Sequence, residues 1–369
     1  MEYNHIMITT YANINELPAN ISVCIYGLGG RGQFIKNKIF EIRKDIKIVC
    51  FIDDYKKELI SNIPTLSGDE FIVQNIPFDC IILSSIYYAK LYEKVGHLNC
   101  ALVGLPFFIR ESDKFSQEEL KMYQNEIICF KNYLDAEDVP LYDALLEARL
   151  NADHLKPVVQ HQKKNIELNK EQYTEFLKRE HIKTMIEGGV FDGLSALNFL
   201  KIFPNLNKIY GFEPFYEMFE KGAHSAEILR TGKVEILKNA LWDRPCSLFL
   251  EKNVNLPSAS TVSEERGLQS IHLEATSIDH FVATKNQETK IDFIKLDVEG
   301  AEQHVLAGAI QTIQKYRPQL AISIYHSKDD FIKIPIWLIQ YCENYTFRLG
   351  HYSSEIYETV LYAIPNELY

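Results

Sequence analysis

At 369 residues the chain is longer than a single hydrophobic core usually organises, so about two domains are expected. Hydrophobic residues make up 46% and charged residues 24%, a globular balance that excludes a largely disordered chain. The net charge of −11 argues against a broad nucleic-acid surface, which needs Lys and Arg to neutralise phosphates. No apolar run reaches the roughly 20 residues of a membrane helix, and Met1 to Ala19 lacks the basic-then-apolar pattern of a secretion signal. A cytoplasmic protein with no membrane span is expected, its cysteines reduced and buried because none lie at metal or redox spacing.

Residues Ile21 to Tyr26 form an apolar run that predicts a strand. The turn Gly27-Leu28-Gly29-Gly30-Arg31-Gly32 follows, and Gln33 to Ile42 carries Phe34, Ile35, Ile39 and Ile42 at helical spacing. A second run, Ile46 to Ile52, ends on Asp53-Asp54, which completes a strand, glycine turn, helix and strand. Runs at Asp79 to Leu83 and Ala101 to Leu105, with a helical stretch near Tyr87 to Val95 between them, extend a small parallel sheet. Gly27, Gly29 and Gly32 with Asp53 satisfy the dinucleotide fingerprint, which taken alone points to NAD; the same turn suits a nucleotide-sugar. Arg31 is the residue expected to touch a phosphate, by its charge and forked guanidinium. The stretch Ile21 to Val103, with Asp53-Asp54 and Gly68-Asp69-Glu70, resembles the N-terminal nucleotide-sugar-binding domain of some bacterial sugar acetyltransferases of the PglD type. The resemblance implies that residues 1–115 form a Rossmann-like domain that grips a nucleotide or nucleotide-sugar.

From residue 116 to 180 charged, amide-rich stretches replace the strands. Glu118 to Tyr133, Tyr142 to Leu150 and Glu167 to Arg179 are expected to be amphipathic helices of a connector. Strand and helix alternation resumes at Ile182 to Ile186, Lys208 to Phe212, Val234 to Leu237, Ile291 to Leu296 and Gln319 to Ile324. Tyr345 to Leu349 and Thr359 to Ile364 then read as an antiparallel hairpin at the sheet edge. The fold class is therefore α/β, two Rossmann-like doubly wound domains joined by helices, the second spanning 181–369.

Ligands of open α/β sheets sit beyond the carboxyl ends of the strands. There the chain places Glu187-Gly188-Gly189-Val190-Phe191-Asp192-Gly193, Gly211-Phe212-Glu213-Pro214, Asn239-Ala240-Leu241-Trp242-Asp243 and Asp297-Val298-Glu299-Gly300 in succession. Gly189 and Gly193 allow a tight turn and close approach of a ligand. Glu187 and Asp192 beside that turn suit a ligand carrying an ammonium and a sulfonium rather than phosphates. Glu213 is placed to accept both ribose hydroxyls of a nucleoside, Pro214 fixes the turn, and Asn239 and Ala240 lie where an adenine would rest. The ligand these residues describe is S-adenosylmethionine.

Those motifs, with Phe293-Ile294-Lys295-Leu296, Ala301-Glu302, Ala321-Ile322-Ser323-Ile324-Tyr325-His326, Asp329-Asp330, Ile334-Pro335 and Glu358-Thr359-Val360-Leu361-Tyr362-Ala363, resemble the FkbM family of methyltransferases over about 190 C-terminal residues. The family more often has Asp-x-Gly-Ala where this chain has Glu187-Gly188-Gly189-Val190. The resemblance implies a seven-stranded methyltransferase sheet and O-methylation of a hydroxyl on a sugar, nucleotide-sugar or glycan precursor. Methyl transfer requires a hydroxyl oxygen held behind the sulfonium carbon and relieved of its proton. His326, just past a strand end, is the first candidate base. Asp297 and Glu299 are candidates to orient it, to contact the cofactor, or to bind a divalent cation with a substrate diol; capping of the next helix is their structural alternative. His351 resembles a family position near the last hairpin. Two other readings stay open: a nicotinamide-dependent oxidoreductase using the first glycine turn, and a non-catalytic nucleotide-sugar-binding protein.

Overall fold

The computed structural model describes residues 8–55, 60, 62–85, 88–251, 261–265, 270–285 and 289–369. Residues 1–7 of the N-terminal stretch and Tyr87, on which two of the readings above fall, lie outside the described residues. The chain divides into two units. Met1–Gln117, Pro140–Glu171 and His351–Glu358 build the first; Glu118–Val139, Gln172–Gly350 and Thr359–Tyr369 build the second.

The first unit begins with β1 (Thr9–Tyr11), β2 (Ser22–Tyr26), α1 (Gly30–Ile42), β3 (Lys47–Ile52) and β4 (Thr65–Leu66). It continues with α2 (Gly68–Gln74), β5 (Cys80–Leu83), α3 (Tyr88–Val95) and β6 (Cys100–Val103). The strands lie in the order β1-β6-β5-β2-β3-β4 and every neighbouring pair is parallel. A parallel sheet covered on both faces is built from continuous apolar strands, and Val23, Ile25, Phe51, Ile82 and Ala101 are accordingly buried against Ile35 and Ile39 of α1. The strand order reverses between β2 and β5, so the turn after β2 sits at the switch point. Ser67 and Glu70 start α2 with a reciprocal capping box. The strand β1, absent from the sequence expectations, pairs with β6 at the sheet edge.

Residues 116–180, expected to connect two domains, hold α4 (Gln117–Met122), α5 (Gln124–Tyr133), α6 (Val139–Leu150) and α7 (Lys156–Glu167) and are divided between the two units. The expected helix over Glu118 to Tyr133 is thus interrupted at Tyr123. The one expected over Glu167 to Arg179 does not form. Asn169 and Tyr173 take left-handed backbone (φ 50° and 66°), a conformation that stops an α-helix, and the helical turns lie upstream in α7 instead.

The second unit's main sheet is built from β7 (Thr184–Gly188), β8 (Lys208–Phe212) and β9 (Val234–Leu237), with α8 (Leu194–Ile202), α9 (Tyr216–Lys221) and α10 (Ser225–Arg230) between them. A smaller sheet, not foreseen from sequence, follows: β10 (Ala240–Leu241), β11 (Cys246–Glu251), β12 (Thr261–Ser263) and β13 (Ile271–Thr276), in the order β10-β13-β11-β12. After α11 (Ile278–Thr284) the main sheet resumes with β14 (Phe293–Leu296), α12 (Glu302–Ala307), α13 (Ile310–Tyr316), β15 (Gln319–Ser323), α14 (Asp330–Tyr341), β16 (Tyr345–His351) and β17 (Thr359–Pro365). Its order is β16-β17-β15-β14-β7-β8-β9, with β17 antiparallel to β15 and the pairs β15–β14, β14–β7, β7–β8 and β8–β9 parallel. The reversal of chain order falls between β14 and β7. The loops after those two strands and after β8 therefore converge at one crevice.

Candidate active site

The turn after β7 is unusually constrained. Gly189, Phe191 and Gly193 all have left-handed backbone, with φ of 76°, 50° and 86°. A Cβ at Gly189 would stand 1.8 Å from the carbonyl oxygen of Asp297, so the β7 and β14 loops touch there and only glycine fits. Phe191 in this conformation is strained, and the strain is held by its N–H, which donates to Glu213 Oε2 at 2.7 Å. Asp192 accepts from the N–H of Leu194 at 3.0 Å and so caps α8.

Glu213 ends β8 and is 6% exposed. Its second oxygen accepts from the N–H of Phe215 at 2.8 Å, across Pro214. Burial pushes this carboxyl above the usual range, and the Phe191 and Phe215 N–H groups pull the other way. Each carboxylate oxygen has two lone pairs, so both keep acceptor capacity for hydroxyls. A cavity of about 130 Å³ opens against it, lined by Gly189, Phe191, Phe212, Glu213, Pro214, Phe215, Ala240, Leu241, Leu250, Asp297, Val298, Glu299 and Ala301. Of the residues expected to hold the cofactor, Gly189, Glu213, Pro214, Ala240 and Asp297 line this cavity. Glu187, Asp192, Gly193 and Asn239 do not. Asn239 instead donates to the carbonyl of Glu274 at 3.4 Å, and Gly193 makes room for Ile228 and Phe219.

Glu187 lies beneath the turn rather than beside the ligand space. It is fully buried, accepts from the Ser195 hydroxyl, and faces Lys295 Nζ at 3.7 Å. Burial raises its pKa, opposed by Lys295 and the Ser195 hydroxyl. Lys295, a residue the sequence reading passed over, is 2% exposed within β14 and donates to the carbonyls of Gly188 and Gly189 at 3.2 and 2.6 Å. It stands 3.9 Å from Asp297 and so lies between two carboxylates. A lysine inside the apolar run Phe293-Ile294-Lys295-Leu296 was the signal for it, since burying an ammonium requires such partners.

The carboxylates after β14 surround the imidazole that follows β15. His326 Nδ1 lies 2.9 Å from Glu302, and its Nε2 lies 3.3 Å from Asp297 and 3.5 Å from Glu299. Burial would lower the pKa of this ring, but Glu302, Glu299 and Asp297 together hold it well above 6.5. With both nitrogens facing carboxylate oxygens, the imidazolium is the form that fits. The surrounding carboxylates thus favour the cationic form of the residue expected to act as base. Asp297 accepts from Ser323 Oγ at 3.1 Å and Tyr325 OH at 3.2 Å; although burial would raise its pKa, Lys295 and His326 bring it below the usual carboxylate value. Tyr173, another residue sequence reading missed, joins this group: its hydroxyl lies 3.2 Å from Ser323 Oγ and its ring lies under Lys295 at 5.1 Å. Glu302, at the start of α12, accepts from Val298 N–H at 2.8 Å and Gly300 N–H at 3.0 Å and so ties down the loop before that helix.

The glycine turn of the first unit differs from expectation at its charged residues. Gly27 is left-handed (φ 98°), and a Cβ at Gly32 would meet the Gly27 carbonyl oxygen at 1.9 Å, as a dinucleotide-type turn requires. Gly29 caps α1 and has open space around it. Asp53 Oδ2, however, accepts from the turn's own Leu28 N–H at 2.7 Å. Arg31, expected to meet a phosphate, is buried and ion-paired with Glu355 at 2.9 Å. His351 is also buried in this unit, its pKa held well below 6.5 by burial and by His161, so it is a neutral interior residue.

The order of the second unit's seven strands, with the last one antiparallel and the crevice at the β7 and β14 ends, defines a methyltransferase-type α/β fold. Residues 187–349 match the family model described as the methyltransferase FkbM domain. A solved structure titled methyltransferase FkbM from Methylobacillus flagellatus KT is similar over 94% of this chain and 90% of its own, with 15% identity and a TM-score of 0.53. It shares the fold across both units. A precorrin-6y C5,15-methyltransferase from Geobacter metallireducens GS-15 covers 51% of this chain and 83% of its own (8% identity, TM-score 0.31), and Aeropyrum pernix fibrillarin with natively bound S-adenosyl-L-methionine covers 51% and 69% (12% identity, TM-score 0.32). Scores this low do not establish a shared fold. No curated protein matches the chain at a significant level. Among the described residues no helix is long and apolar enough to cross a membrane.

Proposed function

We propose that the chain is an S-adenosylmethionine-dependent O-methyltransferase acting on a hydroxyl of a sugar, nucleotide-sugar or glycan precursor. The observation that carries the cofactor is Glu213, a buried carboxylate with both oxygens fixed by backbone N–H groups at the mouth of a largely apolar cavity. Such a group fits the paired hydroxyls of a ribose, and Ala240, Leu241 and Phe215 offer apolar surface for a purine. When bound, the cofactor supplies an electrophilic methyl on a sulfonium. The negative charge of Asp297 and Glu299, which line the same cavity, favours that cation.

The chain's own part is to position the acceptor hydroxyl and take its proton. Asp297 is a weak base, because Ser323, Tyr325, His326 and Lys295 all favour its ionised form. Glu299 is then the proton acceptor, and the His326 cation, fixed from behind by Glu302, holds Glu299 and Asp297 in place. The sugar-type acceptor rests on the family resemblance; the strand-end carboxylates suit a polyhydroxy compound, whose hydroxyls donate to them. Isothermal titration with S-adenosylmethionine tests the class: one-to-one binding is expected, and silence would end the proposal. Mass spectrometry of cell-derived nucleotide-sugars incubated with isotopically labelled cofactor then tests the acceptor, with label expected on oxygen. For the base, Glu299→Gln is expected to lower kcat about 100-fold with little change in cofactor affinity.

A divalent cation is a second reading of the same cluster, because Asp297, Glu302 and His326 each offer a ligand atom within 4.8 Å of the others. Dialysis against a chelator separates the two readings. Activity that survives it supports the metal-free arrangement, and activity that is lost and restored by Mg²⁺ or Mn²⁺ supports the cation.

A further inference from the structure

We propose that the glycine-rich turn of the first unit has this chain's own residues 351–358 as its ligand, and that no nucleotide occupies it. The turn opens α1 with Gly29 as N-cap and Arg31 in the first helical turn, groups that face phosphates in a dinucleotide site. Here Arg31 Nε and Nη2 both lie 2.9 Å from Glu355 Oε2. Glu355 is 0% exposed, and its other oxygen accepts from the Ser354 hydroxyl at 3.0 Å. Ser354 Oγ in turn lies 2.9 Å from the hydroxyl of Tyr88, itself buried at the start of α3. The loop is closed on itself by Ser353 Oγ donating to the Tyr357 carbonyl at 2.7 Å and by Tyr352 N–H donating to the Glu358 carbonyl at 3.1 Å.

A carboxylate therefore takes up the guanidinium that would otherwise meet a phosphate. The Leu28 N–H of the turn donates to Asp53, the residue placed to receive a ribose hydroxyl. A pyrophosphate entering the turn would face Glu355 and Asp53, both of its own sign. It would also have to break a buried ion pair and strand one partner without compensation. The turn thus keeps the backbone shape of a nucleotide site while its charges are satisfied internally. The segment it holds joins β16 to β17.

Hydrogen exchange on the full chain reads this directly. In Arg31→Ala and in Glu355→Gln the amides of 351–358 are expected to exchange at least about 10-fold faster, with those of β14 and β15 unchanged. Wild-type protein is expected to give no binding heat with NAD or NADPH up to about 1 mM. Unchanged exchange of 351–358 in either variant overturns the proposal, as does saturable heat from either dinucleotide. Should a variant fail to fold, the wild-type titration decides alone: heat refutes, silence supports.

Discussion

The two glycine turns of this chain stand at the same place in two doubly wound sheets, yet they are used in opposite ways. After β2, Gly27 is left-handed and Gly32 packs on the Gly27 carbonyl; after β7, Gly189 is left-handed and packs on the Asp297 carbonyl. The backbone devices are alike. What differs is where the charges of the surrounding loops go. In the first unit Arg31 is paired with the buried Glu355, and Asp53 accepts from the turn's own Leu28 N–H. In the second, Glu213, Asp297 and Glu299 keep a face on an open cavity. The glycines set the shape of a binding turn, and the side chains brought in by distant loops decide whether anything binds.

The sharpest way to break that comparison is to add one methyl to each turn. Gly189→Ala would drive a Cβ to 1.8 Å from a backbone carbonyl, and a loss of roughly 4 kcal/mol or more is expected in urea unfolding. Gly27→Ala meets side-chain atoms of Ser84 and Ser85 at 3.3 Å, so its cost should be nearer the roughly 1–2 kcal/mol of left-handed backbone alone. Equal losses would mean the turns are not built as described. Lys295→Met comes next: it leaves Glu187 buried without its ammonium, and about 3 kcal/mol of stability should go. Recovery of part of that loss in Lys295→Met/Glu187→Gln would confirm the cause.

Smaller still, Glu213→Ala is expected to weaken S-adenosylmethionine about 100-fold in titration calorimetry. Asp53→Ala, at the corresponding strand end of the first unit, should leave that affinity unchanged. Acidification separates the units last. His161, half-buried in the first unit, has its pKa lowered to about 4 by burial and by Lys170 and Lys164. Above pH 6.5 both folded and unfolded forms are neutral and nothing is lost. Between 6.5 and 4 the unfolded chain takes up the proton and the folded one does not, so about 2 kcal/mol should disappear between pH 7 and 5. His326 has the opposite sign: its raised pKa contributes stability that is present at low pH and lost only as pH rises through its folded-state value. Protection factors, which remove the intrinsic pH dependence of exchange, should therefore fall more between pH 7 and 5 in the first unit than around β14 and β15; the reverse order would refute the two assignments.

Much of the fold was legible. The runs Ile21 to Tyr26, Lys208 to Phe212 and Val234 to Leu237 read as strands because a covered parallel sheet admits few polar residues, and all three form where expected. Glu167 to Arg179 misled because charged residues at helical spacing satisfy the periodicity, while the left-handed Asn169 and Tyr173 are set by what they pack on. The smaller sheet escaped notice because strands as short as Ala240–Leu241 carry no period of their own. At the site, Glu213 and the strand-end carboxylates could be picked out locally. The carboxylates gathered around His326 could not, since that needs three side chains from different positions meeting one ring in space. Nor could the fate of Arg31, whose partner is 324 residues away in sequence.

The segment His351–Glu358 leaves the second unit's sheet, folds with the first unit and then returns. Neither unit is thus a continuous piece of polypeptide. Expressing the chain from residue 181 onward would strand those eight residues from Arg31 and Tyr88 and release Glu355, a carboxylate built for the interior, into a truncated protein with no counter-charge for it. Dissection of this protein is better done by substitution than by cutting.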